Sequence, residues 1–197
     1  MPRVLCLDTE TTGLPPKGAA PNPETYPFIV QWSFVMVDTD TETVQEHDFI
    51  LRVEGPIPTT DIHGITEGRS TQCGYSFRDV HAIFEVCLSI ADLIVGHNLE
   101  FDLNMINAEC MRNGLPTLPP MNQFCTMRRG KELCNIITPQ GYVKYPKLLE
   151  LYERLFKQTP SNLHNSLTDV YACLRCFYSL QLKRDAPSKI IRKIKHD

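Results

Sequence analysis

Three short apolar runs in this chain adjoin segments that carry acidic residues, and this limits what it can fold into. Val4-Leu5-Cys6-Leu7 leads directly into Asp8 and Glu10; Leu93–Gly96 delivers His97, Asn98 and then Asp102; His164 and Asp169 open a third apolar stretch. More than ninety residues separate Glu10 from Asp102, and about sixty separate Asp102 from His164. Polar side chains at the ends of core elements are held by a rigid scaffold, which is what a reactive constellation needs. Four convergent carboxylates would repel one another and stay partly protonated unless cations held them. Hard oxygen ligands select Mg²⁺ or Mn²⁺. The combination points to metal-assisted chemistry on a phosphodiester.

Residues 3–8 read as a buried strand, and 28–37 and 44–53 as two more, the last two an antiparallel pair across Thr39–Thr43. Pro15–Pro27 holds five prolines and a glycine and reads as an irregular loop. Val80, Ile83, Phe84, Val86 and Cys87 form a helical stripe over 79–91. A strand at Leu93–Gly96 follows, then a helix over 102–113 stopped near Gly114 and Pro116. Asn122–Thr126 reads as a fifth strand, and 146–157 and 166–182 as amphipathic helices. Strands first, then strands alternating with helices, make an α/β domain. At 197 residues the chain is one domain with a sizeable core.

Asp8 and Glu10 are two apart, so on an extended strand both carboxylates face one site. Gly13 is expected to give a tight exit that brings backbone close to a ligand. Asn98 suits a turn whose backbone its side chain bonds. Asp102 falls in the first turn of the next helix, where a carboxylate also favours the helix dipole. His164 and Asp169 are five apart and would not share a helix face. A helix starting between them, capped by Asn165 or Ser166, leaves His164 on a loop beside the site. His97 reads as a structural turn residue. Cys173 and Cys176 have no second pair at zinc-site spacing and read as core thiols.

Hydrophobic residues make up 42% of the chain and charged residues 22%, ordinary for a globular protein. The longest uncharged apolar stretch, Phe28–Val37, is too short to span a bilayer, and the N-terminus lacks a signal-peptide layout. Eight scattered cysteines fit reduced thiols of an intracellular protein. The net charge of −3 hides an asymmetry: residues 183–197 carry six Lys/Arg against two Asp. The expectation is a domain over 1–182 and a basic tail over 183–197 that attracts phosphates, acts as an address or is simply solvated.

The segments Asp8-Thr9-Glu10-Thr11-Thr12-Gly13-Leu14, His97-Asn98-Leu99-Glu100-Phe101-Asp102 and His164 with Asp169 resemble the three motifs of the DnaQ-like (DEDD) 3′→5′ exonucleases. The subgroup is the one whose last motif carries a histidine. Ile62-His63-Gly64-Ile65-Thr66 is a weaker family-like stretch. An Asp-x-Glu alone means nothing; all motifs in order make the signal.

The resemblance implies an RNase H-like fold with a mixed five-stranded sheet flanked by helices. It also implies two Mg²⁺ or Mn²⁺ ions held by Asp8, Glu10, Asp102 and Asp169, with His164 as general base. Thr11, Thr12, Leu14, His63 and Phe101 would contact the substrate. The implied partner is nucleic acid, DNA ahead of RNA, with replication or repair proteins as further partners and no membrane. DTETTGL and IHGIT are closer to the DNA-degrading branch, including Trex-like proteins, than to oligoribonucleases, though a long polyproline segment is missing. An RNA-trimming enzyme and a non-catalytic binding module stay as alternatives; the second is disfavoured because all five catalytic-type residues are present.

Overall fold

The computed structural model describes residues 2–161 and 163–196. Its centre is a five-stranded sheet in the order β3-β2-β1-β4-β5. The strands are β1 (Arg3–Thr11), β2 (Ile29–Asp38), β3 (Val44–Ile50), β4 (Leu93–Gly96) and β5 (Gln123–Cys125). β2 runs antiparallel to β1 and to β3, whereas β4 is parallel to β1 and β5 to β4. This is the mixed sheet of the RNase H-like fold.

β1 lacks apolar alternation because both its faces are covered. Val4 and Cys6 pack into a cluster with α7 (Ser166–Phe177), and Leu5 and Leu7 into another with α3 (Phe77–Ile90) and α4 (Leu99–Arg112). In the second cluster the Trp32 ring lies 4.6 Å from Phe84 and 5.6 Å from Phe77. Truncating a leucine so enclosed to alanine costs about 2–5 kcal/mol.

Several boundaries differ from those expected, each for a local reason. β3 stops at Ile50 because the chain turns to a new partner: Leu51 bridges Tyr75, and Arg52 N donates to Tyr75 O at 2.9 Å. Two short helices, α1 (Thr60–His63) and α2 (Glu67–Cys73), fill a stretch without apolar periodicity. α4 starts three residues early, at Leu99, because Asn98 turns the chain at φ 67°. Asparagine tolerates that left-handed region. The Asn98 side chain makes no capping bond, contrary to expectation; its carbonyl accepts Phe101 N instead.

α5 (Thr126–Cys134) was hidden because its buried face consists of Thr126 and Gly130, too small to register as a stripe. α6 (Leu148–Phe156) packs so close that a Cβ on Gly130 would meet Leu151 Cδ1 at 2.7 Å. The stretch 166–182 is helical throughout, as expected, but its last turn, Tyr178–Leu182, is π-helical.

The segment expected as a basic tail packs against the body. Ala186, Ile190 and Ile194 join the α7 cluster, Ile190 from α8 (Ser188–Ile191). Arg175 holds both Asp185 oxygens at 2.9 Å. Ser161 N donates to Lys195 O at 2.8 Å, and Pro160 bridges His196. Arg184 pairs with Glu42 and Lys193 with Glu46. The charge count masked an apolar face, Ile190 and Ile194, at helical spacing. All eight cysteines are free, with Cys6, Cys87, Cys110, Cys173 and Cys176 buried. Among the described residues no helix is long and apolar enough to cross a membrane.

Candidate active site

β4 pairs with β1 only as far as Cys6 and Val95, so the β1 edge beyond is left open on that side. Asp8 and Glu10 lie on this stretch and share the face of Val4 and Cys6, which is covered by α7. The start of α7 is fastened there: Ser166 Oγ donates to Asp8 O at 2.6 Å, and Ser166 N to Gln31 Oε1 at 3.4 Å. Asp169 lies in the first turn of α7. One oxygen from each of Asp8, Glu10 and Asp169 falls within 4.8 Å of the others.

Asp102 approaches from the opposite face. Its Oδ1 accepts Thr9 N at 3.0 Å and Thr9 Oγ1 at 2.8 Å, and the residue is only 2% exposed. Thr9 points away from its two neighbours, toward α4, and Asp102 takes the backbone donor that β4 stops short of reaching. Gly96 allows this close entry, because a Cβ there would sit 2.9 Å from Leu99 Cδ1.

The carboxylates strain against each other. Burial drives the Asp8 pKa well above the usual carboxylate range, and Asp102, Asp169 and Glu10 add to it. Burial is also the largest cause for Glu10, Asp102 and Asp169, each pushed up to about 7. The Thr9 bonds pull Asp102 back, and the His164 N–H pulls Asp169 back. Asp169 Oδ1 is buried without a hydrogen-bond partner among the described residues. Buried acids held this closely demand a compensating cation. The all-oxygen donor set and the orphaned Oδ1 fit a hard divalent ion.

His164 is exposed at the rim with φ 70°, and its N–H reaches Asp169 Oδ2 at 3.3 Å. Asn165 caps α7, accepting Thr168 N at 3.3 Å, so the helix starts between histidine and aspartate as expected. His97 holds Pro146 O at 3.0 Å and Thr126 Oγ1 at 2.9 Å, and burial pushes its pKa down to about 4. It is a neutral brace, as its turn position suggested.

The five expected substrate residues divide. Leu14 stands 85% exposed at the exit of β1. Thr12 is tied to Phe28, its N donating to Phe28 O and its Oγ1 accepting Phe28 N, both at 2.9 Å. Thr11 is buried, and Phe101 is half-buried against the second cluster. His63 does not line open surface. Its Nδ1 accepts Ile65 N at 3.1 Å, and its Nε2 meets Thr59 Oγ1 at 2.9 Å, which itself donates to Thr11 O at 2.6 Å. The ring braces the strand end, and burial lowers its pKa. Gly13 has no positive φ; its carbonyl accepts Thr11 Oγ1 at 2.6 Å.

The motifs give no role to Thr9 or Thr59 and offer Ser166 only as a cap, whereas the structure bonds them to Asp102, Thr11 and Asp8. Thr9 carried one signal, a hydroxyl between two acids on a buried strand; the others are set by contacts distant in sequence. A cavity of about 780 Å³ between Leu88, Asp92, Pro119 and Met121 lies at the starts of β4 and β5. That is the sheet end opposite the carboxylates, so hollowness alone does not locate the chemistry.

The family model described as exonuclease (RNase T) matches residues 5–177. Comparison with curated protein sequences finds no match. Exonuclease I of E. coli, solved with a dA16 oligonucleotide, is 17% identical, with 93% of this chain and 42% of that one covered and a TM-score of 0.64. Exonuclease I of Methylocaldum szegediense is 17% identical, over 92% of this chain and 41% of that one, with a TM-score of 0.69. Cell-death related nuclease 4 (CRN-4) is 12% identical, over 99% of this chain and 66% of that one, with a TM-score of 0.68. The chain thus spans about two-fifths of the exonuclease I structures, and identities this low speak for the fold. With the family model spanning nearly the whole sheet and its helices, the chain belongs to the exonuclease family.

Proposed function

We propose that this protein hydrolyses nucleic acid stepwise from the 3′ end, releasing nucleoside 5′-monophosphates, with single-stranded DNA as the favoured substrate. The observation that carries the reading is the approach of Asp8, Glu10 and Asp169 to within 4.8 Å on a strand edge left open by β4. Asp8, Glu10 and Asp169 would hold one divalent ion, and Asp8 with Asp102 a second. Such a pair of ions, when bound, stabilises both the attacking and the leaving oxygen of an in-line displacement.

The remaining work falls to the chain itself. Asp102 fixes Thr9, and so the strand on which Asp8 and Glu10 stand. Asp169 is oriented by Ser166 at the helix start and by the His164 N–H. His164, at the rim, takes the proton of the attacking water. Leu14 offers the terminal base an apolar wedge. The Thr12 hydroxyl, which accepts one bond, still has a proton to give to a 3′-terminal oxygen. Phosphate and sugar contacts carry no sequence information, so little base preference is expected.

The test is a ladder assay on 5′-labelled single-stranded DNA, duplex DNA and RNA with Mg²⁺ or Mn²⁺. Loss of one nucleotide at a time, abolished by chelator and blocked by a 3′-phosphate, is expected. Faster shortening of RNA would move the substrate to RNA. Fragments from a circular single strand, or substantial activity in chelator, would refute the reading.

A further inference from the structure

The acidic body of the chain contains a second basic stretch besides its C-terminus. Residues 126–147 hold five Lys/Arg against one Glu. They form α5 and a hairpin in which Ile137 bridges Val143. α5 leaves the C-terminal end of β5, the sheet end that carries the carboxylates. Arg128 lies against Glu100 in the first turn of α4, two residues before Asp102. The return limb of the hairpin is bonded through Pro146 O to His97. The surface is therefore mounted on the site's own framework.

Its side chains are unusual for solvent. Tyr142 is 74% exposed and Tyr145 48%, and neither joins a core cluster. The hairpin tip is ordered by Thr138 N to Tyr142 O at 2.8 Å and Gly141 N to Thr138 O at 2.9 Å. Gly141 takes φ 84°, which an L side chain rarely adopts. Lys131 Nζ stands 4.7 Å from the centre of the Tyr145 ring, a cation held beside an aromatic face.

Exposed rings beside cations have a natural ligand in single-stranded nucleic acid, whose unpaired bases stack while its phosphates meet the positive charge. Ile137 at 63% and Val143 at 36% are exposed in the same hairpin, which makes a protein partner the competing occupant; the excess of Lys/Arg over Glu in 126–147 favours the polyanionic strand.

We propose that the hairpin 136–145 and α5 form a stacking platform for the single strand upstream of the 3′-terminal nucleotides, with Tyr142 and Tyr145 receiving bases and Lys131 and Lys147 the backbone. The platform extends the proposed exonuclease reading to the path of the substrate beyond the carboxylates. It makes the enzyme favour long single strands over dinucleotides and over duplex ends, whose bases are already stacked.

The experiment measures binding and cleavage separately. Wild type, Tyr142→Ala, Tyr145→Ala and Tyr142→Phe are compared for anisotropy of a labelled twelve-nucleotide oligothymidylate in Ca²⁺. The same proteins are compared for Mg²⁺-dependent cleavage of that strand and of a dinucleotide. Each alanine variant is expected to weaken binding of the long strand by roughly 5- to 100-fold, the range for losing one stacked base. Dinucleotide cleavage should be unchanged, and Tyr142→Phe should bind like wild type. Unchanged affinity for the long strand, or equal losses on long and short substrates, would overturn the platform. Wild type that binds the long strand without cleaving any substrate would leave the platform standing and remove the nuclease reading. Neither binding nor cleavage would remove both.

Discussion

Asp102 accepts the backbone N–H of Thr9 at 3.0 Å across ninety-three positions of sequence. This bond gives Asp102 two separable duties. One is structural, satisfying an edge donor that β4 leaves unpaired; the other is electrostatic, presenting negative charge beside Asp8.

The two duties should come apart on substitution. Asp102→Asn keeps a carbonyl oxygen for Thr9 but loses the charge, so the melting temperature should stay near wild type while kcat falls by roughly 10²–10³-fold, as when a transition-state electrostatic contact is removed. Asp102→Ala should lose the activity and also about 1–3 kcal/mol of stability, the cost of an unsatisfied buried donor. Thermal melts and single-turnover rates on the same preparations check both; an active Asp102→Asn would reduce the residue to a brace.

Stability without metal should decline as pH rises. Glu10, Asp102 and Asp169 titrate near 7 in the fold and at ordinary carboxylate values, about 4, when unfolded. A raised acid favours the fold while protonated, so its contribution is complete below pH ~4 and is lost as pH climbs through about 7. Melting in EDTA should therefore drop between pH 5 and 8, and Mg²⁺ or Mn²⁺ should restore more at pH 8 than at pH 5. A metal-induced shift that is larger in acid would contradict the ligand assignment.

His164→Ala should lower kcat by roughly 10²–10⁴-fold, the usual contribution of a general base. Metal affinity should change little, since the His164 contact to Asp169 is made by its backbone N–H, which alanine retains. Calorimetric metal titration beside single-turnover cleavage tests this. A rate like wild type would take the histidine out of the chemistry.

Deleting residues 183–197 should destabilise the protein, because Ile190 and Ile194 are core residues and Lys195 O pairs with Ser161 on the chain leading to His164. Ile190→Ala alone should cost about 2–5 kcal/mol. Replacing exposed Lys189 and Arg192 with alanine leaves the packing intact and isolates any phosphate contact. With those two replaced, an unchanged salt dependence of binding would confine the segment to a structural role.

The sequence by itself determined the strand that carries Asp8 and Glu10, the helix start between His164 and Asp169, and the mixed α/β order. Each rests on local signals: an apolar run too rich for an exposed strand, an i, i+2 pair, a capping asparagine. Only the tertiary structure decided that Thr9 and Asp102 close the edge β4 leaves open, that His63 is tied through Thr59 to Thr11, and that the C-terminal segment is core. It also revealed α5, whose buried Thr126 and Gly130 leave no hydrophobic stripe to read. Periodicity records which side chains leave water within one element, whereas these contacts join groups distant in sequence, whose partners are set by how the elements pack.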